Sequence, residues 1–413
     1  MKKLLIISFD LIREGENEKS LAISSILSFL KKDKRYGEDF LVYHLPINMF
    51  KFDKNIAVND LKPYLEIFNF HDLDFVALSA YIWNEYLTND LMQMLRKDFG
   101  FLGNYILGGY QISYSNNPEL EYPEARYFIN GYAEQGLLKL LTEEVSGYRI
   151  NSFVDFTQLP SPYLTKELEI TDFQKMVRME TKRGCPYKCT FCAHRDLTYN
   201  KVYKHQLDKV FSEISFFKEK QVNKINIIDP IFNAGNYYLN VLNEFVETKN
   251  SSLISVQARF ETIHGENGKK FLDYCSQLNV NLEFGLQSAN REESQLINRK
   301  NNPQKIKAIM QELNERKINY EISLIYGLPN QTLDSFKESV EFVFENGCTN
   351  ITAFPLMLLK GTELYQQKKQ FGFKEQKLGA YNIPVVTQSN SFSEKEWYQM
   401  KAIASNLTPN NRI

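Results

Sequence analysis

The 413-residue chain has no run of about 18 uncharged apolar residues, so no membrane-spanning helix is expected. It has no excess of charge of either sign. Its 49 Lys and Arg stand against 50 Asp and Glu, a net charge of −1, so no global basic field draws in nucleic acid or an anionic membrane. With 19 Gly and 13 Pro it is too poor in both for a fibrous or low-complexity chain. It has only five cysteines, an odd count that argues against a disulfide scaffold. The opening Met1-Lys2-Lys3 is basic, and the apolar run after it ends at Asp10, short of a signal-peptide core. That run reads better as a first buried strand, and a cytoplasmic protein is expected. What the chain does have is apolar residues, 43% of the total, enough for the two to three domains that its length implies at about 150 residues each.

Short apolar runs alternate with amphipathic stretches through residues 1–145. Strands are expected at 3–9, 40–45, 75–80, 105–107 and 127–130, each a continuous apolar or β-branched run of the kind buried on both faces. Leu21, Ile23, Ile26, Leu27 and Phe29, then Leu87, Leu91, Met94 and Leu95, recur at helical spacing. Five such alternations imply a doubly wound, five-stranded parallel sheet, with ligands past the carboxyl ends of its strands. Those ends carry Ser79, Tyr81 and Trp83 after the third strand, Gly108 and Gly109 after the fourth, and Gly131 and Glu134 after the fifth. A Gly pair permits close backbone approach to a ligand and equally suits a plain tight turn; Trp83 equally suits a core.

Residues 146–172 contain Pro160 and Pro162 and read as a linker. From 173 to 370 the alternation resumes, with strands expected at 176–181, 224–228, 254–259, 281–286, 320–326 and 350–356. Six βα units in series predict a partial or full parallel barrel, with its active site at the carboxyl ends of the strands. Residues 371–413 show little periodicity and read as a short C-terminal cap.

Three of the five cysteines, Cys185, Cys189 and Cys192, fall within eight residues, in the order Arg183-Gly184-Cys185-Pro186-Tyr187-Lys188-Cys189-Thr190-Phe191-Cys192-Ala193-His194. The C-x3-C-x2-C spacing directly follows the first strand of the second half, where a barrel carries catalytic loops. Three thiolates on a four-iron cluster leave one iron open for chemistry. The alternative is a structural zinc with His194 as fourth ligand, for which the spacing is poor. Cys275 sits at helical spacing with Phe271 and Leu278 and reads as core; Cys348 reads as a buried thiol.

This cysteine loop resembles that of the radical S-adenosylmethionine (radical SAM) superfamily. Further segments follow in the family's order: Ile227-Ile228-Asp229-Pro230, Glu283-Phe284-Gly285-Leu286-Gln287-Ser288 with Leu296-Ile297-Asn298-Arg299, and Tyr326-Gly327-Leu328-Pro329-Asn330-Gln331-Thr332. The Ser79 to Asn84 segment, Leu107-Gly108-Gly109 and the Pro-Ser-Pro-Tyr linker are similar to the superfamily's cobalamin-binding branch. The resemblance implies a [4Fe–4S] cluster on Cys185, Cys189 and Cys192. It implies SAM bound at the open iron and cleaved to methionine and a 5′-deoxyadenosyl radical. It assigns Phe191, Asp229, Arg259, Glu283, Gln287 and Ser288 to SAM, and Ser79, Tyr81, Trp83, Gly108, Gly109, Gly131 and Glu134 to cobalamin. The Asp-x-His-x-x-Gly motif of other cobalamin-binding domains is absent, as is usual in this branch.

The implied function is cobalamin-dependent methylation of an unactivated carbon in a peptide or natural product, with an external one-electron reductant of flavodoxin or ferredoxin type. The alternative is epimerisation, cyclisation or rearrangement by hydrogen abstraction without cobalamin. The balanced charge and the lack of a basic aromatic patch count against a nucleic-acid partner.

Overall fold

A computed structural model describes residues 1–52, 56–171, 174–194, 201–299, 301–379 and 381–407. The chain divides into two compact units, Met1–Gln174 with Leu378–Ile383, and Lys175–Lys377 with Pro384–Ile413. The expected boundary at 172 and 173 lies outside the described residues. No helix among them is long and apolar enough to cross a membrane.

The first unit is built on a parallel sheet. Its strands are β1 (Lys2–Asp10), β2 (Phe40–Asn48), β3 (Phe75–Ser79), β4 (Asn104–Gly108), β5 (Ala125–Gly131) and β6 (Arg149–Ser152), in spatial order β2-β1-β3-β4-β5-β6. Six consecutive residues of β1 are buried, which is why it reads as an unbroken apolar run: neither face meets water. Leu5, Ile7, Phe9, Val76, Leu78, Tyr105, Leu107 and Phe128 form its core with Leu87, Leu91 and Leu95 of the helix Glu85–Lys97. The order reverses between β1 and β3, the switch point at which doubly wound sheets hold ligands. The sheet has one strand more than expected. β6 falls in the stretch read as linker; its four residues alternate exposed and buried at an edge and make no apolar run.

The second unit carries the parallel strands β7 (Met176–Met179), β10 (Lys224–Ile227), β11 (Leu253–Ala258), β12 (Val280–Gln287), β13 (Asn319–Tyr326) and β14 (Ile351–Pro355), in order β14-β13-β12-β11-β10-β7. β7 and β14 are the two ends of this sheet, so the six βα units make an open barrel. Burial along β12 and β13 alternates strictly. Leu282, Phe284, Ile322 and Leu324 pack away from solvent, whereas Glu283, Gly285 and Gln287 share the opposite, half-open face. There are two short ribbons besides: β8 (Lys182–Arg183) antiparallel to β9 (Tyr203–Lys204), and β15 (Lys374–Leu378) beside β16 (Ile383–Gln388), whose end residues Leu378 and Ile383 are counted with the first unit. The region expected as a short cap is more ordered than its weak periodicity implied. It holds this second ribbon and the helix Glu394–Leu407, which packs on β14 and on the helix Leu333–Glu345, with Trp397 1% exposed.

Candidate active site

The cysteine loop leaves the carboxyl edge of the sheet after β7 and is closed at its neck by the β8–β9 ribbon. Gly184 sits in this neck at φ +91°, where a side chain would collide with the Lys201 carbonyl; only glycine fits. A half-buried ionic network ties the two ends of the loop together. Arg183 donates through Nε and Nη2 to Glu180, both at 2.8 Å. His205 Nε2 lies 3.2 Å from Glu180 Oε2, and its backbone N–H donates to the Thr181 carbonyl. Burial opposes ionisation of Glu180. The Arg183 charge and the hydrogen bonds from His205 and Arg183 overcome it and hold the carboxyl well below the usual range.

Beside this network sits Asp229, fully buried after β10. One carboxylate oxygen accepts from Thr181 N at 2.8 Å and Lys182 N at 3.0 Å, and the other from Thr181 Oγ1 at 2.5 Å. Burial raises its pKa to about 6, against the opposing Lys182 charge. Lys182, 2% exposed, donates to the carbonyls of Phe232 and Ala234, and burial brings its pKa down to about 8. The two side chains thus brace the start of the cysteine loop through residues 181 and 182.

The loop is also strapped along its length. Thr190 N–H donates to the Ile297 carbonyl, Thr190 Oγ1 to Leu296 O at 3.3 Å, and Leu364 N–H to the Thr190 carbonyl. Asn298 Nδ2 donates to Lys188 O at 2.7 Å. Phe191, next to this anchor, is half-buried.

Cys189 is buried, Cys185 and Cys192 are half-buried, and all three are free thiols. Burial pushes the Cys185 thiol up and the Cys192 thiol up to about 11, with the neighbouring sulfurs adding to the same shift. The three are therefore close enough to feel one another's charge. Among the described residues, no three Cys, His, Asp or Glu are placed to hold a single metal ion.

Two guanidiniums reach Cys189. Arg259, 7% exposed, points Nη1 at Sγ from 3.8 Å. Arg299, also 7% exposed, lies near enough for its charge to be felt by Cys189, and its Nε is buried without a partner. A buried, unpaired guanidinium donor suits an anionic acceptor. Gly285 supplies the room. A Cβ there would meet the Gln287 amide and come within 3.5 Å of Arg299 Nη2. Gln287 itself adopts φ +70° at a bulge in β12, a strained conformation for a non-glycine residue. Glu283 accepts from Ser255 Oγ at 3.1 Å on the same face. Ser288 is turned the other way. It donates to Glu293 at 2.6 Å in a buried network that also holds Gln331 and Ser335. Arg299, Glu180, Lys182 and His205 were not singled out from the sequence as site residues; their partners are remote or set by burial, which periodicity does not reveal.

In the first unit, the residues expected to meet cobalamin all lie at the carboxyl edge. Tyr81 and Trp83 stack at 4.6 Å and 7°, and Trp83 Nε1 donates to the Phe9 carbonyl. Asn84 fastens the loop through Ser79 O and Tyr81 N. Gly109 is at φ +93° with its Cβ position 2.8 Å from Ala80 O, so it is required by the turn; at Gly108 a Cβ would make only ordinary contacts with Ile129 at 3.9 Å. Gly131 N–H donates to Ser113 Oγ, and Glu134 is 2% exposed.

Residues 179–343 match the radical SAM superfamily. The chain is 22% identical over 337 residues to the cobalamin-dependent radical SAM methyltransferase TokK of Streptomyces tokunonensis, covering 73% of this chain and 50% of that one. It is 21% identical over 378 residues to the 2-(S-pantetheinyl)-carbapenam-3-carboxylate methyltransferase of Streptantibioticus cattleyicolor, covering 79% and 55%. The chain thus spans about half the length of the curated relatives it matches. Among solved structures, the radical S-adenosylmethionine methyltransferase TsrM of Kitasatospora setae, with cobalamin and a [4Fe–4S] cluster bound, aligns with a TM-score of 0.72 at 15% identity, over 99% of this chain and 89% of that one. The chain therefore carries a radical SAM domain at residues 179–343, and its two units have the fold of that solved methyltransferase.

Proposed function

We propose that this chain is a cobalamin-dependent radical SAM methyltransferase acting on an unactivated carbon of a peptide or natural product. The observation that carries the reading is the strapped loop of three free thiols with two buried guanidiniums at Cys189, one of them with an open donor. The names of the two curated relatives support methyl transfer. When bound, the cluster supplies the electron that cleaves SAM, and the corrinoid supplies the methyl carrier.

The chain's own residues would do the following. Cys185, Cys189 and Cys192 ligate the cluster, and the buried thiols must lose their protons to do so. Arg299 offers its free Nε to the SAM carboxylate, Glu283 and Gln287 line the same open face for the ribose and methionyl parts, and Phe191 lies against the adenine. Asp229 and Ser288 use their polar atoms on the framework and position the loop and turn. Tyr81 and Trp83 form a flat apolar wall, and Gly108, Gly109 and Gly131 give backbone access, for a macrocycle at the edge of the first sheet, with Ser79 and Glu134 beside them. A flavodoxin- or ferredoxin-type donor and a reducing cytoplasm belong to the same reading.

The test is anaerobic purification with hydroxocobalamin, followed by incubation with labelled SAM, dithionite and candidate substrates. Stoichiometric corrinoid and labelled methyl in the product are expected. Deoxyadenosine release with cluster present, corrinoid absent and no methyl transfer would overturn methylation in favour of hydrogen-abstraction chemistry.

A further inference from the structure

The resemblance assigns Arg259 to the SAM carboxylate, but its guanidinium is already committed. Nε and Nη2 fork onto Glu261 at 3.1 and 3.2 Å. The guanidinium carbon sits 3.8 Å over the Tyr187 ring, a stacked cation–π contact within the cysteine loop itself. Nη1 points at Cys189 Sγ from 3.8 Å. The backbone is fixed as well: Asn233 accepts from Arg259 N at 2.9 Å and donates to Arg259 O at 3.0 Å. An arginine clamped on four sides is a poor partner for a ligand that comes and goes. Arg299, with its Nε free, is the contrasting case.

We infer that Arg259 is a positioning residue for the cluster: it holds Cys189 in place and raises the potential at which the cluster accepts its electron. This rests on the proposed [4Fe–4S] assignment and deepens it. Reduction takes one electron from an external low-potential donor, makes and breaks no bond at the protein, and adds one negative charge to the cluster and its three thiolates. A buried cation donating to a ligating sulfur favours the more negative state, since hydrogen bonds to the sulfurs and net charge set cluster potentials. Glu261 moderates this effect by neutralising part of the guanidinium charge. Tyr187 couples the same guanidinium to the loop, so electronic tuning and loop geometry depend on one side chain.

The experiment is an EPR-monitored redox titration of the reconstituted full-length protein without SAM, comparing wild type with Arg259→Gln, Arg259→Lys and Glu261→Gln. For Arg259→Gln, the ratio of reduced to oxidised cluster at a fixed potential is expected to fall about tenfold, a midpoint about 59 mV lower for a one-electron couple. Arg259→Lys, which keeps the charge and loses the fork, should fall less. Glu261→Gln should shift the opposite way, because the stacked guanidinium is then less neutralised. An unchanged midpoint in Arg259→Gln with the cluster intact overturns the inference and leaves the cluster assignment standing. If Arg259→Gln assembles no cluster, the other two variants decide: a lower midpoint in the lysine variant with a higher one in Glu261→Gln supports the inference, and any other pattern overturns it. Wild type without iron and sulfide would overturn the cluster assignment itself.

Discussion

The two units solve the problem of holding a ligand at the carboxyl edge of a parallel sheet in different ways. In the first unit the edge is made of glycines, stacked rings and loops whose polar groups already have backbone partners, as with Trp83 on Phe9 O and Asn84 on Ser79 O. Such an edge offers a ligand mainly ring faces and backbone. In the second unit the edge is made of buried charge: Glu180 with Arg183, Asp229 with Lys182, Arg259 with Glu261, and Arg299 beside Cys189. Charges withdrawn from water are costly unless paired, and in the proposed reading this dense set serves an inorganic cluster and a charged cosubstrate. In the proposed reading, one fold principle, ligands beyond the strand ends, serves two chemistries through different residue types.

The sharpest way to break this comparison is at the cysteines. Cys189→Ala should abolish iron loading, while corrinoid uptake, which the proposal assigns to the other edge, stays at the wild-type level; ICP iron analysis and the corrinoid absorbance read both from one sample. Joint loss of both would show that the two edges are not separate sites.

The next largest effects concern pH. Asp229, with a folded pKa of about 6 against an ordinary 3.8, binds more protons folded than unfolded between those values. Its contribution to stability is present at low pH and is lost as pH rises through about 6. His44 in the first unit runs the other way. Its Nε2 meets Ser8 Oγ at 2.9 Å, its Nδ1 is buried without a partner, and burial lowers its pKa to about 4 from 6.5. Its contribution is present above pH 6.5 and is lost as pH falls towards 4. Each effect is worth up to roughly 3 kcal/mol. In denaturant titrations from pH 4 to 7, Asp229→Asn should remove the loss of stability with rising pH, and His44→Gln should remove the gain. Unchanged pH slopes in both variants would contradict the assigned protonation states.

A smaller effect sharpens the contrast from the first unit. Gly109→Ala places a Cβ at φ +93° against Ala80 O and should cost about 1–3 kcal/mol. Corrinoid affinity should fall, with iron content unmoved. Equal loss of iron would count against a role confined to the first edge.

How much of this was legible in the sequence differs between the units in the same way. The βα alternation was readable in both because parallel strands buried on two faces are continuous apolar runs. The cysteine loop was readable because thiolate spacing is a local pattern. Its supports were not: Glu180 and His205 are 25 residues apart, and Arg259 and Cys189 are 70 apart, so only folding brings them together. β6 escaped because an edge strand of four residues, Arg-Ile-Asn-Ser, has no apolar run. In the first unit the candidate residues were found from their position after strands. The ring stacking of Tyr81 on Trp83 and the contact of Trp83 with Phe9, 74 residues away, could not be read there.

The central claim is that Cys185, Cys189 and Cys192 hold a cluster with one open iron. Its most direct test is iron and sulfide analysis with EPR on anaerobically reconstituted protein, before and after addition of SAM. The account predicts about four irons and four sulfides per chain, and a dithionite-reduced signal whose shape changes when SAM binds. Zinc in place of iron, or a reduced cluster whose signal is indifferent to SAM, would contradict it.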